Sequence, residues 1–115
     1  MSDLNVRSKV WLEFQGRPFL GDGRYRLLAA VADSGSINAA AKRLGISYRK
    51  AWTQLQTMEE HAPFQLLERR SGGKGGGETR LTAEAFELLK EFRRLRDQVN
   101  HQADRSFEEC FPQWS

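Results

Sequence analysis

Val10, Leu12 and Phe14 alternate with Trp11 and Glu13, a period of two that predicts a short strand near the N-terminus. Gly16-Arg17-Pro18 and Gly21-Asp22-Gly23 follow as turn signals. With Asp22 as a candidate N-cap, the period then becomes helical. Leu27, Leu28, Val31 and Ala32 form one apolar stripe, and Ser34-Gly35 ends it. Ser36 can cap a second helix whose apolar positions are Ile37, Ala40, Ala41 and Leu44, and Gly45 stops it after about two turns. Ser47 can cap a third helix from Tyr48 to about His61, which Pro63 keeps from running much further.

Gln65 to Arg70 reads as a strand, and Glu78 to Leu81 resumes an extended pattern. The segment between them, Ser71 to Gly77, holds five of the ten glycines, so a hairpin with a basic tip is expected. Thr82 is a candidate N-cap for a long amphipathic helix carrying Ala85, Leu88, Leu89, Phe92, Leu95 and Val99 at spacings of three and four. Its end is placed near His101. No element is assigned to the stretch from Asp104 to Ser115.

Two short helices joined by a Gly-containing turn are the signature of a helix-turn-helix. With the flanking elements, the expected fold is mainly α with a small β component. It is a winged helix-turn-helix with an N-terminal strand and a long C-terminal dimerisation helix. One domain spans residues 1–105, with a recognition helix at about 47–61, a wing at about 65–82 and a C-terminal helix at about 83–103; residues 106–115 form a tail.

The length of 115 residues suits one such domain. No apolar run approaches the roughly 18 residues of a membrane span, and the first twenty residues lack a signal peptide's apolar centre. A single cysteine, Cys110, cannot form an internal disulfide, and a reducing cytoplasm is the expected location. With only His61 and His101 beside it, neither a structural zinc site nor a cysteine-protease centre is expected. The glycine-rich segment fails as a Walker loop, since Lys74 is followed by Gly75 and a strand-like stretch. No cofactor and no catalytic activity are expected.

Charge placement changes the picture more than the formal net of +3 does. From Lys42 to Arg80 there are eight basic residues against four acidic ones, a local net of +4, so the remainder is slightly acidic. On the third helix, at about 100° per residue, Ala51, Leu55 and Met58 share one face with Tyr48 and Trp52 at its edge. Opposite stand Arg49, Lys50, Thr53, Gln56 and Thr57. That face is basic at its N-terminal end and bears amides and hydroxyls further on, as suits major-groove readout.

Base contacts are therefore expected from Arg49, Lys50, Thr53 and Gln56. Backbone contacts are expected from Ser36, Lys42, Arg43, Arg69, Arg70, Lys74 and Arg80. Trp52 is read as a packing residue at the edge of the core. The near-heptad run Leu88, Phe92, Leu95 and Val99 continues beyond what a small core requires, so self-association is expected there, with Trp11 contributing. Two other readings stay open. One is a winged helix that docks an acidic protein partner; the other is a small oxyanion-binding protein that uses the glycine loop as an anion nest.

The stretch Ser34-Gly35-Ser36-Ile37 through Ala41-Lys42, the string GISYRKAW (Gly45 to Trp52) and the string RRSGGKGGGETRLT (Arg69 to Thr82) carry a resemblance. They closely resemble the DNA-binding domain of the molybdate-responsive ModE-type regulators, and residues 24–82 also look similar to the helix-turn-helix of LysR-type regulators. The resemblance covers about residues 5–105. It implies a homodimer on a palindromic operator in double-stranded DNA. By position, Ser47, Tyr48, Arg49, Lys50 and Thr53 match the reading helix, and Lys74 with its glycines matches the wing. Full-length family members sense molybdate or tungstate through C-terminal oxyanion-binding domains, which are not expected in this chain. A separate molybdate-sensing protein is a partner that the resemblance allows.

Overall fold

A computed structural model describes residues 3–70 and 78–114, Arg70 by its backbone alone. The elements run β1 (Leu12–Phe14), β2 (Arg17–Leu20), α1 (Asp22–Ser34), α2 (Ile37–Leu44), α3 (Tyr48–His61), β3 (Leu67–Arg70), β4 (Glu78–Leu81) and α4 (Ala83–Cys110). The chain divides into two compact units. One lies within Trp11–Leu89; the other comprises the N-terminal stretch to Val10 and the chain from Lys90 onward.

In the first unit, β1 and β2 form an antiparallel hairpin in which Phe14 faces Arg17. The sequence pattern predicts a turn at Gly16-Arg17-Pro18, whereas Arg17 and Pro18 belong to the strand. The turn is Gln15-Gly16, with φ of 53° and 78°. Left-handed conformation at both central residues is the type I′ geometry that matches strand twist, and it favours Asn-Gly over the Gln-Gly found here. The alternation up to Phe14 and Gly16 marked the first strand and the turn, but without that dipeptide the return strand left no local signal. Asp22 is also not the cap: Gly21 occupies that position in extended conformation and makes no side-chain cap bond. Asp22 instead opens α1, where a carboxylate complements the positive end of the helix dipole.

The remaining helix boundaries follow the chemistry of their caps. Gly35 (φ 80°) and Gly45 (φ 69°) take left-handed C-cap conformations that a side chain would strain. Ser36 Oγ accepts the Ala39 N–H at 3.0 Å, and Ser47 Oγ accepts the Lys50 N–H at 3.0 Å. Thr82 Oγ1 accepts the Ala85 N–H at 3.1 Å and donates to the Gln65 carbonyl at 2.7 Å. One side chain thus caps α4 and holds the chain that leads into β3.

Helix α1 is central to this unit and packs against α2, α3, β2 and β4. Leu20, Leu27, Leu28, Val31, Leu55, Met58 and Leu66 are fully buried and form the core. Burial of each such side chain contributes roughly 1.5–3 kcal/mol. Ala40 and Ala51 are also buried, and their small side chains let α2 and α3 approach. Ala32 and Leu44, expected on the apolar stripes, are half-buried. The hairpin of β3 and β4 pairs Leu67 with Leu81 and Arg70 with Glu78. Its strand β3 starts at Leu67 rather than Gln65, and the Gln65 side chain donates to the Leu67 carbonyl at 2.8 Å. The expected tip, including Lys74, lies outside the described residues.

The second unit contains most of α4, which reaches Cys110 instead of ending near His101. The extension is compatible with the helical spacing of Phe107 and Phe111, whose rings stack at 5.3 Å between centroids. Ser8 Oγ donates to Asn100 Oδ1 and fastens the N-terminal stretch to the helix. The described residues contain no helix long and apolar enough to cross a membrane.

The strained residue in the first hairpin gives a direct stability test. Gln15→Asn is expected to raise stability by about 0.5–1 kcal/mol, because Asn adopts the left-handed region more readily than Gln. Chemical denaturation is the measurement, and a lower midpoint would contradict the type I′ assignment.

Candidate nucleic-acid interface

The exposed end of α3 is built by the turn before it. Gly45 donates its N–H to the Lys42 carbonyl at 3.2 Å and Ile46 donates to Ala41 at 3.0 Å, which closes α2 in a left-handed cap. Ser47 then caps α3, which begins at Tyr48. Ala51, Leu55 and Met58 anchor α3 in the core, and their burial turns Arg49, Lys50 and Thr53 outward. Ser47, Arg49, Lys50, Thr53 and Gln54 line one shallow surface depression. Four of the expected base-contacting residues are thus together. Tyr48 stands beside them and is 51% exposed.

Gln56 takes a different place. It is half-buried, and its Oε1 accepts a hydrogen bond from Arg69 Nη2 at 3.0 Å. The Arg69 guanidinium also lies over the Trp52 ring, 5.9 Å from its centroid. Arg69, expected on the phosphates, is therefore turned from β3 onto α3. Trp52, 38% exposed, is a packing surface at the edge of the core, and its cover is this cation.

The other expected backbone contacts are dispersed. Lys42 and Arg43 are exposed on the last turn of α2, and Arg43 donates to Asp33 at 3.1 Å. Arg80 donates to Glu78 at 2.8 Å within β4. Ion pairs this exposed contribute little to stability, so either arginine can exchange its carboxylate for another anion at small cost. Among the described residues, Lys42, Arg49 and Lys50 make no ion pair. Ser36 is half-buried and its oxygen serves the α2 cap. Lys74 and the Arg70 side chain lie outside the described residues.

Three residues that no sequence motif marks also shape the surface. Arg26 and Gln54 join Arg43 and Lys50 around a cleft of about 460 Å³ between α1, α2 and α3. Gln54 stands one turn beyond Lys50, a spacing that could have found it; nothing local marks Arg26. Glu59 projects from α3 toward the wing, where its carboxylate accepts the N–H of Leu66 at 2.8 Å and of Leu67 at 3.2 Å. An acidic residue near the end of a basic helix is thereby committed to the backbone.

Of the residues expected at a dimer interface, Phe92 is only 1% exposed within the single chain. Its apolar surface is already covered, so it is a packing residue and not an open contact. Trp11, Leu95 and Val99 are 50%, 40% and 36% exposed, and Leu88 is half-buried. The Trp11 indole donates to Glu13 Oε2 at 2.9 Å. Among the described residues there is no group of three or more His, Cys, Asp and Glu side chains that could hold a metal ion.

Comparison with known proteins places this geometry in context. The family model of bacterial regulatory helix-turn-helix proteins of the lysR type matches residues 23–85. The transcriptional regulator ModE of Haemophilus influenzae is 42% identical over 86 residues, which cover 75% of this chain and 34% of that protein. The DNA-binding transcriptional dual regulator ModE of Escherichia coli is 40% identical over 79 residues, 69% of this chain and 30% of that protein. The chain thus spans about a third of the length of these curated relatives. Among solved structures, that of a CbnR_DBD–DNA complex superposes with a TM-score of 0.57 at 31% identity, covering 76% of this chain and 95% of that one. The mainly helical architecture with two small hairpins and a long last helix is that of a winged helix-turn-helix.

The Glu59 clamp yields a test of how the wing is held. Glu59→Ala is expected to cost about 1–3 kcal/mol, because it leaves two backbone donors near the core without their acceptor. Glu59→Gln retains one carbonyl oxygen and should cost less. Denaturation and amide exchange at Leu66 and Leu67 would measure both, and unchanged protection of those two amides would overturn the assignment.

Proposed function

This chain belongs to the lysR family of bacterial regulatory helix-turn-helix proteins, and from that premise we propose that it binds double-stranded DNA sequence-specifically as a transcriptional regulator. The observation that carries the proposal is the capped, exposed N-terminal turn of α3, where Ser47, Arg49, Lys50 and Thr53 line one depression. A helix end of this kind fits the major groove, where Arg and Lys donate to guanine O6 and N7 and hydroxyls adapt to either base. Tyr48 and Gln56 complete the base-facing set. The printed titles of the similar proteins, two DNA-binding or transcriptional regulators and one DNA complex, support the same reading.

Lys42, Arg43, Arg70, Lys74 and Arg80 supply the backbone term. Their contacts release counterions from the duplex and make affinity fall with salt. Leu95 and Val99 offer exposed apolar side chains for a homodimer contact, Leu88 and Trp11 are further candidates on the other unit, and a twofold protein calls for a palindromic operator. The protein acts in the cytoplasm, where its DNA is, and the role requires no catalytic group or cofactor.

Selection of bound duplexes from a random pool tests the proposal. Wild-type protein is expected to enrich one palindromic site, whereas no duplex binding even at low salt would sink the reading. Arg49→Ala should weaken the selected site by about 1–3 kcal/mol and relax one position of the preference. Lys42→Ala should weaken all sequences alike and lower the salt slope by about one. Sedimentation of a Leu95→Asp, Val99→Asp double variant should show a monomer if that helix face joins two copies.

A further inference from the structure

The contact between the wing and α3 does more than fasten them. Arg69 extends from β3 so that Nη2 donates to Gln56 Oε1 at 3.0 Å while the guanidinium lies over Trp52, 5.9 Å from the ring centroid. Gln56 in turn sits on the face of α3 that carries Arg49 and Thr53, two turns beyond Arg49. We propose that Arg69 is a positioning residue for base recognition: it fixes the orientation of the Gln56 amide and thereby sets the preference at one base pair of the operator. The inference rests on the DNA-reading role proposed above.

The hydrogen-bonding groups of the two side chains allow one orientation of the amide. A glutamine amide carries one acceptor oxygen and one donor nitrogen, and rotation by a half-turn swaps them. An untethered Gln56 can present donor and acceptor to the groove in either order. Adenine shows an acceptor at N7 and a donor at N6, so the order decides which strand must carry it. Arginine has five N–H donors and no acceptor, so only the oxygen of Gln56 can face Arg69. The Trp52 face limits the positions the guanidinium can take. Oε1 retains a second lone pair, and the Nε2 hydrogens remain for the base. One order of donor and acceptor is selected before DNA arrives.

This role differs measurably from that of a phosphate contact. A phosphate-bound Arg69 would add affinity to every sequence and one counterion to the salt slope. A positioning Arg69 changes the sequence preference and leaves the slope as it was. Lysine separates the two further, because it keeps the charge while losing the planar fork and its stacking on the indole.

Duplex selection with the full chain, followed by affinity measurements across a salt series, decides between them. Wild-type, Arg69→Ala, Arg69→Lys, Gln56→Ala and the Arg69→Ala, Gln56→Ala double variant are compared. The expected result is that discrimination at one base-pair position falls on the order of tenfold in Arg69→Ala and Arg69→Lys. Gln56→Ala should lose the same position, the double variant should lose no more, and the salt slope should stay at its wild-type value. An equal loss on all sequences with a slope lower by about one in Arg69→Ala, reversed in Arg69→Lys, would make Arg69 a phosphate contact and overturn the proposal. So would an unchanged preference in both Arg69 variants. If wild-type protein itself enriches no sequence, the DNA-reading role fails and this inference falls with it.

Discussion

Glu59 stands three turns into α3, and its carboxylate accepts the backbone N–H groups of Leu66 and Leu67 at the entrance to β3. Those two leucines are buried, so their amides need partners within the protein. The acceptor comes from the same helix that presents Arg49 and Lys50, and the wing is therefore registered on α3 by a charge-assisted pair of hydrogen bonds. Thr82 completes the hold from the other strand by binding the Gln65 carbonyl and capping α4. The Arg69 contact to Gln56 and Trp52 falls on this same side of α3.

Electrostatics and packing divide the surface between them. Core burial of Ala51, Leu55 and Met58 leaves the basic arc of α3 no direction but outward. The acidic residues nearby are mostly taken up locally: Glu59 by the backbone, Asp33 by Arg43 and Glu78 by Arg80. Exposed pairs of this kind are weak and exchangeable and add little to the stability of the fold. A polyanion that offers many phosphates at fixed spacing competes well for such arginines.

Much of the helical framework was legible in the sequence because its punctuation is local. Gly35 and Gly45 mark left-handed caps, Ser36, Ser47 and Thr82 supply cap oxygens, and Pro63 follows the end of α3. The exposed end of α3 was legible for the same reason, since helical angle alone separates Arg49, Lys50 and Thr53 from the buried face. The strand β1 was legible from its alternation, but the return strand β2 was not, because Gln15-Gly16 lacks the residue pair that announces a type I′ turn. The extent of α4 was missed as well: the apolar stripe fades after Val99, but no glycine or proline stops the helix before Cys110.

By itself, the sequence determined the order and capping of the helices, the outward basic arc and the concentration of positive charge between Lys42 and Arg80. These depend on neighbours within one or two turns, where backbone geometry and side-chain chemistry are strictly coupled. Only the tertiary structure decided what Arg69, Gln56, Glu59 and Phe92 do. Arg69 reaches across 13 positions to Gln56, and Glu59 reaches backbone seven and eight residues ahead. Phe92 is covered although its spacing fits an open helix face. Each outcome depends on how separate elements meet, and no periodicity along the chain records that meeting.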